Sequence, residues 1–371
     1  MHQEDLRIEQ ELREVCRRFY LQGEFRSFER INSGHINTTY CVYFSCDGKI
    51  KDYIVQRVNT YVFKDPYSVM ENISSVTEFI REKILAENGE KRCVLHYYTA
   101  AENEYYTVLP DGGFWRCCRY ISGSVSFLHT DDLYVIEQSG KAFGEFQGYL
   151  ADYPVKNLHI VIPHFHNTIR RYDALRQAAA QNAAGRLQEV QSLLDEYYQI
   201  EAQAIRPYQL QRQGILPLRV THNDTKTSNV LFDAQSHAHL AVIDLDTVMP
   251  GLVAFDFGDA IRAAAATADE DEQDLSKVAL DMDKYEAFTR GFVSSLGGML
   301  TQAEKQTLAL GALAMTTECG VRFLTDYLDG DKYFRIHYTE QNLARAKRHL
   351  KLAQDMLLKM DKMQKIVDKY C

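Results

Sequence analysis

The spacing of the apolar residues changes character once, about a third of the way along the chain, and that change constrains the fold more than any other feature. A short amphipathic helix is expected over 4–22, with Leu6, Ile8, Leu12, Val15, Cys16 and Phe19 on one face. Residues 27–57 then read as three strands, FERINSG, NTTYCVYF and KDYIVQRV, with a turn at Cys46-Asp47-Gly48. A helix is expected after Pro66, over roughly 67–88, and further strands near 92–99, 104–109 and 114–121. Beyond that point the helical period dominates, over 132–150, 168–181, 184–213, 283–295, 301–327 and 340–369. A single interruption, at 218–247, reads LRVTHND, NVLFD and HLAVIDLD, short β-branched runs between polar turns. A sheet-rich first part and a helical second part with a short β-insert predict an α+β, bilobal architecture. The expected division is 1–118 and 119–371, with a hinge near 117–126.

With 371 residues, 46% of them hydrophobic and 25% charged, the chain can build a large core. Lys and Arg total 42 against 51 Asp and Glu, a net charge of -9. This argues against a general nucleic-acid binder, which needs a basic face to displace counterions. It leaves room for a local cationic cluster around an anionic ligand. The eight cysteines form no CxxC pair, which removes zinc ribbons and thioredoxin-type redox motifs, and free thiols are expected. The start, MHQEDLRIEQ, has no apolar export segment, and the uncharged stretches 291–303 and 306–317 fall short of the roughly 20 residues that span a bilayer. The expectation is a soluble cytoplasmic protein with small-molecule partners, no membrane and no nucleic acid. Whether it is a monomer or a homodimer is open.

The interruption at 218–247 carries the chemistry. Thr221-His222-Asn223-Asp224-Thr225-Lys226-Thr227-Ser228-Asn229 has the form H-x-D-x-x-x-x-N, and Asp244 follows fifteen residues later at the end of an apolar run. Phosphoryl transfer needs a carboxylate to orient and deprotonate the attacking hydroxyl, oxygen ligands for magnesium, and a cation near the transferred group. Asp224, then Asn229 with Asp244, and Lys226 supply these three parts. Magnesium prefers oxygen donors and keeps several waters, so two protein ligands suffice. The alternative for either segment alone is a turn cap.

In this arrangement the chain resembles the small-molecule phosphotransferases of protein-kinase-like fold, the aminoglycoside phosphotransferase and choline kinase group. SGHINTTY (33–40), YIVQRVNTYVF (53–63), PLRVTHNDTKTSN (217–229), VIDLDTVMPG (242–251), FDFGDAIR (255–262), DEQDLSKV (271–278) and ECGVRFLTDYLDGDKYF (318–334) are similar to the N-acetylhexosamine 1-kinase branch of that group. The resemblance runs from about residue 25 to 355. It implies ATP and Mg2+ as cofactors and phosphorylation of the anomeric hydroxyl of N-acetylglucosamine or N-acetylgalactosamine. It also implies Asp224 as catalytic base, Asn229 and Asp244 as magnesium ligands, and sugar contacts from His35, Asp224, Arg322 and Tyr333. Each sugar contact has a plainer alternative: a turn residue for His35, an ion pair with Glu318 for Arg322, a core position for Tyr333.

For the nucleotide, the expected contacts are Gly34, Gln56 and an apolar sandwich of Ile54, Leu231 and Ile243. Gln56 is a departure. Related kinases carry a lysine at this strand position to grip phosphates, and an amide brings no charge. Lys226 and magnesium are expected to carry more of that charge. Asp256 and Arg262 in FDFGDAIR are read as bracing the catalytic loop. The run Asp269-Glu270-Asp271-Glu272 is read as a solvated helix start, and His164-Phe165-His166 as a poor metal site, having no carboxylate or thiol at ligand spacing. Other readings are a kinase for another small alcohol (an aminoglycoside, choline or homoserine) and a pseudokinase that binds without turnover, which Gln56 favours.

Overall fold

The computed structural model describes residues 3–32 and 36–371. In chain order its helices are α1 (Gln3–Arg18), α2 (Pro66–Ala86), α3 (Leu133–Tyr149), α4 (Thr168–Gln181), α5 (Leu187–Ala204), α6 (Arg206–Arg212), α7 (Val253–Ala264), α8 (Met282–Ser295), α9 (Gln302–Lys305), α10 (Leu308–Asp329) and α11 (Gln341–Tyr370). The strands are β1 (Glu24–Ile31), β2 (Thr38–Cys46), β3 (Lys49–Arg57), β4 (Thr107–Val108), β5 (Phe114–Arg119), β6 (Ser124–Val125), β7 (Arg219–Thr221), β8 (Val230–Asp233), β9 (His239–Val242) and β10 (Met249–Gly251). The expected α+β fold is present. Contacts group the chain into two units; the first comprises the chain up to Ser124, with Asn157–Ile162 and Leu240–Val248, and the second the remainder.

The first unit is an antiparallel sheet in the order β1-β2-β3-β5-β4. Alternation along the strands sends Tyr40, Val42, Phe44, Tyr53, Val55, Trp115 and Cys117 to one face, where they pack with Leu12, Val15, Cys16 and Phe19 of α1. The opposite face carries Thr39, Gln56 and Arg116, which are cross-strand neighbours in register. Arg116 Nη1 on that face reaches the Met70 sulfur of α2 at 3.8 Å. Helix α2 starts where the sequence says it should: Pro66 occupies the first turn and the Asp65 carboxylate accepts from Ser68 N at 3.2 Å.

The second unit is helical. Helix α3 packs on α8, and α10 on both α7 and α11. The α7–α10 contact depends on glycine, because a Cβ on Gly258 would run into the Gly311 carbonyl and one on Gly311 into the Ala254 carbonyl. A short antiparallel pair, β7 with β10, sits in this unit with Thr221 opposite Met249.

Several expected elements differ. Helix α1 stops at Arg18 rather than continuing to residue 22. Residues 92–99 form a 3-10 turn (Lys91–Cys93) and a lone bridge from Tyr97 to Cys118 rather than a strand. The expected helix over 184–213 breaks at Ile205, before Pro207. The acidic run 269–272 lies between elements, not at a helix start. All eight cysteines are free thiols. No helix of the described residues is long and apolar enough to cross a membrane.

Candidate active site

In the second unit, the loop that leaves β7 turns sharply at Asn223, which holds a left-handed φ of 65°, a conformation asparagine tolerates better than most residues. Such a turn exposes backbone N–H groups, and α7 supplies their acceptors. The Asp256 carboxylate accepts from His222 N and Asn223 N, both at 2.8 Å, and from Gln147 Nε2 at 2.6 Å. Burial pushes this carboxyl above its usual range, and the nearby His222 together with these hydrogen bonds opposes the rise. One turn further along α7, Asp259 accepts from Thr225 N at 2.9 Å and is held by Arg262 Nε at 3.1 Å. Burial works to raise the Asp259 carboxyl, but Arg262 outweighs it and the net shift is downward. The bracing read for Asp256 is present; Arg262 reaches the loop only through Asp259, a residue to which the sequence reading gave no role. Gly251 of β10 is needed beneath the loop, since a Cβ there would strike the Thr221 hydroxyl.

So held, the loop brings Asp224, Lys226 and Asn229 together. Lys226 Nζ lies 2.9 Å from Asp224 Oδ2. Asn229 Nδ2 donates to the same oxygen and to the Asp224 backbone carbonyl, each at 2.9 Å. The amide nitrogen of Asn229 is therefore committed to Asp224, and its other polar atom is Oδ1.

A histidine that sequence reading set aside belongs to this loop. His166 lies between the Asn223 carbonyl (Nε2, 3.2 Å) and Glu318 Oε1 on α10 (Nδ1, 3.1 Å). Both ring nitrogens face acceptors, so the imidazolium form satisfies both. Burial works to lower the His166 pKa, but Glu318 and its hydrogen bond outweigh that and the net shift is upward. Glu318 is only 2% exposed and pairs with His166, so the surface ion pair with Arg322 suggested by their spacing is not what forms.

Arg322, one turn further along α10, faces two rings. Its guanidinium carbon is 5.9 Å from the Tyr333 ring centre and 5.4 Å from that of Phe334. Tyr333 is 74% exposed, so it is not a core residue. Its segment is fixed by Asp326, whose carboxylate accepts from the backbone N of Lys332, Tyr333 and Phe334 at 2.8–2.9 Å. Phe334 was not expected in this cluster; its place in KYF beside Tyr333 was the signal available.

Asp244 belongs to the first unit. It is exposed, has a left-handed φ of 62° and precedes a 3-10 turn, Leu245–Thr247. Two residues on, Asp246 is 3% exposed. Its carboxylate accepts from Arg116 of β5 and, at 2.5 Å, from Asn37 Nδ2. The turn is also held at its end, where Asn72 of α2 donates to the Val248 carbonyl at 2.9 Å. Gln56 accepts from Arg116 Nε at 2.9 Å and donates to Thr39 Oγ1 at 3.0 Å. Neither Arg116 nor Asp246 was singled out in the sequence; an arginine within the apolar strand FWRCCR was the available sign. Ile54, Leu231 and Ile243 are half-buried on or beside β3, β8 and β9 respectively. Gly34 and His35 lie outside the described residues.

The sequence also matches the model of the phosphotransferase enzyme family (APH) over residues 27–288, more than half of the chain. The chain belongs to the phosphotransferase enzyme family. Its fold is similar to that of other solved phosphotransferases at low sequence identity. An aminoglycoside phosphotransferase from Alicyclobacillus acidocaldarius aligns at 12% identity and TM-score 0.62, covering 96% of each chain. A microcompartment-associated aminopropanol kinase aligns at 15% and 0.58, covering 91% of this chain and 93% of that one. A spectinomycin phosphotransferase, solved in complex with ADP and spectinomycin, aligns at 12% and 0.51, covering 90% and 94%.

An amide oxygen, as on Asn229, and a carboxylate, as on Asp244, are each the kind of donor that a hard cation such as magnesium prefers. One other group among the described residues has metal-ligand chemistry, Glu270, Cys319 and His349, with donor atoms within 4.8 Å of one another. Arg262 and Arg345 lie 3.7 and 3.6 Å from the Glu270 carboxylate. Two guanidinium groups already match its charge, so this corner suits a cation poorly.

Proposed function

We propose that this phosphotransferase is an ATP-dependent kinase that phosphorylates the anomeric hydroxyl of an N-acetylhexosamine, N-acetylglucosamine or N-acetylgalactosamine, giving the sugar 1-phosphate. The observation that carries the reading is the Asp224 carboxylate, oriented by Lys226 and Asn229 through one oxygen. Both donors occupy Oδ2, so Oδ1 is the oxygen that takes the proton from the sugar O1. An anomeric hydroxyl is more acidic than an ordinary alcohol, and a carboxylate base is adequate for it. Lys226 keeps the carboxylate aimed and brings positive charge to the transferring group. Asn229 and Asp244 hold Mg2+, which when bound neutralises charge on the transferring phosphate.

His35, Asp224, Arg322 and Tyr333 bind the sugar in this reading, and Gly34, Ile54, Gln56, Leu231 and Ile243 bind the nucleotide. Arg322 beside two aromatic rings suits a polyhydroxylated ligand: the guanidinium forks to hydroxyl oxygens while a ring covers the apolar face of a sugar. The same geometry weighs against choline, because the cation position over these rings is already taken by Arg322. Nucleotide use is supported by the fold shared with the spectinomycin phosphotransferase solved with ADP.

Release of ADP from Mg-ATP, assayed with both N-acetylhexosamines, choline, homoserine and kanamycin, tests the reading. Turnover confined to the N-acetylhexosamines is expected. Turnover confined to one of the others, or a thermal shift with ATP and no product from any of them, would overturn it.

A further inference from the structure

Helix α10 gives way to two successive left-handed residues, Gly330 with φ 95° and Asp331 with φ 58°. The chain then folds back along the helix face that carries Arg322. Asp326 lies four residues after Arg322 on α10, so both side chains leave that face. A carboxylate offers about four lone-pair sites, and at Asp326 four donors take them. Lys332 N and Tyr333 N bond Oδ1, and Phe334 N and Asn342 Nδ2 bond Oδ2, all at 2.8–2.9 Å. So occupied, Asp326 is a holder of backbone rather than a ligand contact. It sets where the Tyr333 and Phe334 rings stand against Arg322. The Phe334 ring is seated in turn on Phe323 of α10, with ring centres 4.5 Å apart.

The hold extends to two further elements of the second unit. Asn342 of α11 is wholly buried, and its Nδ2 also donates to Asp331 Oδ1 at 2.9 Å. The other Asp331 oxygen accepts from Arg186 Nη1 at 2.6 Å, and the same nitrogen donates to the Tyr327 carbonyl at 2.9 Å. One amide nitrogen therefore bridges two carboxylates, and a guanidinium just before α5 offsets their charge. We propose that Asp326, Asn342 and Arg186 are positioning residues for the small-molecule acceptor: they fix the Tyr333 ring against Arg322, and so set the affinity for a sugar from outside its site. None of the three touches the ligand. The inference rests on Arg322 and Tyr333 being sugar contacts.

Two measurements on the full chain test this. One is hydrogen exchange at residues 332–334, read by mass spectrometry. The other is the pair of KM values for ATP and for whichever of N-acetylglucosamine and N-acetylgalactosamine turns over faster. Asn342→Leu keeps the branched shape and removes the bridging donor. It is expected to speed exchange at 332–334 and to raise the sugar KM about tenfold, with the ATP KM within about twofold. Arg186→Gln is expected to raise the sugar KM about threefold, and Arg186→Lys, which keeps a charge beside Asp331, to stay nearer the parent. If Asn342→Leu fails to fold, the two Arg186 variants decide by the same readouts. Parent-like exchange at 332–334 in Asn342→Leu and in Arg186→Gln overturns the proposal. So does faster exchange with both KM values unchanged, or with both raised alike, as a merely structural role would give. Arg322→Gln and Tyr333→Ala separate this inference from the sugar reading. If neither changes the sugar KM, or if the parent turns over neither N-acetylhexosamine, the sugar assignment fails and the inference with it. If both raise the sugar KM while Asn342→Leu and Arg186→Gln do not, only the positioning role falls.

Discussion

The loop around Asp224 and the turn around Asp244 pose the same problem and are held in opposite ways. Each carries a carboxylate with a proposed role next to, or at, a left-handed residue that is not glycine, Asn223 in one and Asp244 in the other. Such a backbone persists only where its surroundings over-determine it. For the Asp224 loop, the anchors are carboxylates of another element: Asp256 and Asp259 on α7 grip backbone N–H groups. For the Asp244 turn, the main anchor is a side chain of the turn itself, Asp246, inserted against Arg116, with Asn72 of α2 holding the Val248 carbonyl at its end. Backbone grip leaves the gripped side chains free to be chosen for chemistry. Side-chain grip commits position 246 to the fold. Asp326 repeats the first method for the Tyr333 segment.

The contrast can be broken by substitution. Asp224→Asn should remove turnover by about 10^3-fold or more, with ATP affinity within a few-fold and the urea midpoint unchanged, because the loop is not held through that side chain. Substantial residual activity would remove Asp224 as base, and a large loss of stability would remove the backbone-grip account. Asp246→Ala should behave in the opposite sense, losing about 3 to 5 kcal/mol of folding stability because a buried guanidinium is left unpaired. A smaller effect is expected for Asp256→Asn. The amide keeps one acceptor and turns a donor toward backbone N–H, for a loss of about 1 to 3 kcal/mol, with kcat falling more than the KM for ATP rises.

The smallest effect concerns pH. The folded pKa of His166 is raised above its unfolded value near 6.5, so the unfolded chain releases that proton first. The stabilisation is fully present below about pH 6.5 and is lost as pH rises through the folded pKa. In Glu318→Gln the main cause of the shift is gone. The decline in unfolding free energy on the alkaline side, at most about 1.4 kcal/mol per pH unit for one proton, should flatten. An unchanged slope would mean that His166 is not charged in the folded chain.

The fold class and the candidate catalytic loop were legible because their signals are local. Aromatic and apolar runs between turn residues mark β2, β3 and β5, and H-x-D-x-x-x-x-N falls within one loop. Helix boundaries were legible where a proline or a cap stood, as at Asp65-Pro66, and were misplaced where a break such as Ile205 rests on a proline two residues on. Residues 92–99 have strand composition, yet only Tyr97 finds a bridge partner, so tertiary pairing overrode propensity. The anchors were the least legible. Arg116 and Asp246 are 130 residues apart, and His166 and Glu318 are 152 apart. No spacing rule reaches that far, and a lone arginine in an apolar strand says only that a partner must exist. Arg322 and Glu318 show the converse: their spacing of four suggested a pair, but burial gave Glu318 to His166.

The most direct test of the account is phosphorus NMR of N-acetylglucosamine with Mg-ATP, run with the parent chain and with Asp224→Asn. The account predicts a new phosphomonoester signal coupled to the anomeric proton with the parent and none with the variant. A phosphoester on any other oxygen, or the same signal from Asp224→Asn, would contradict it.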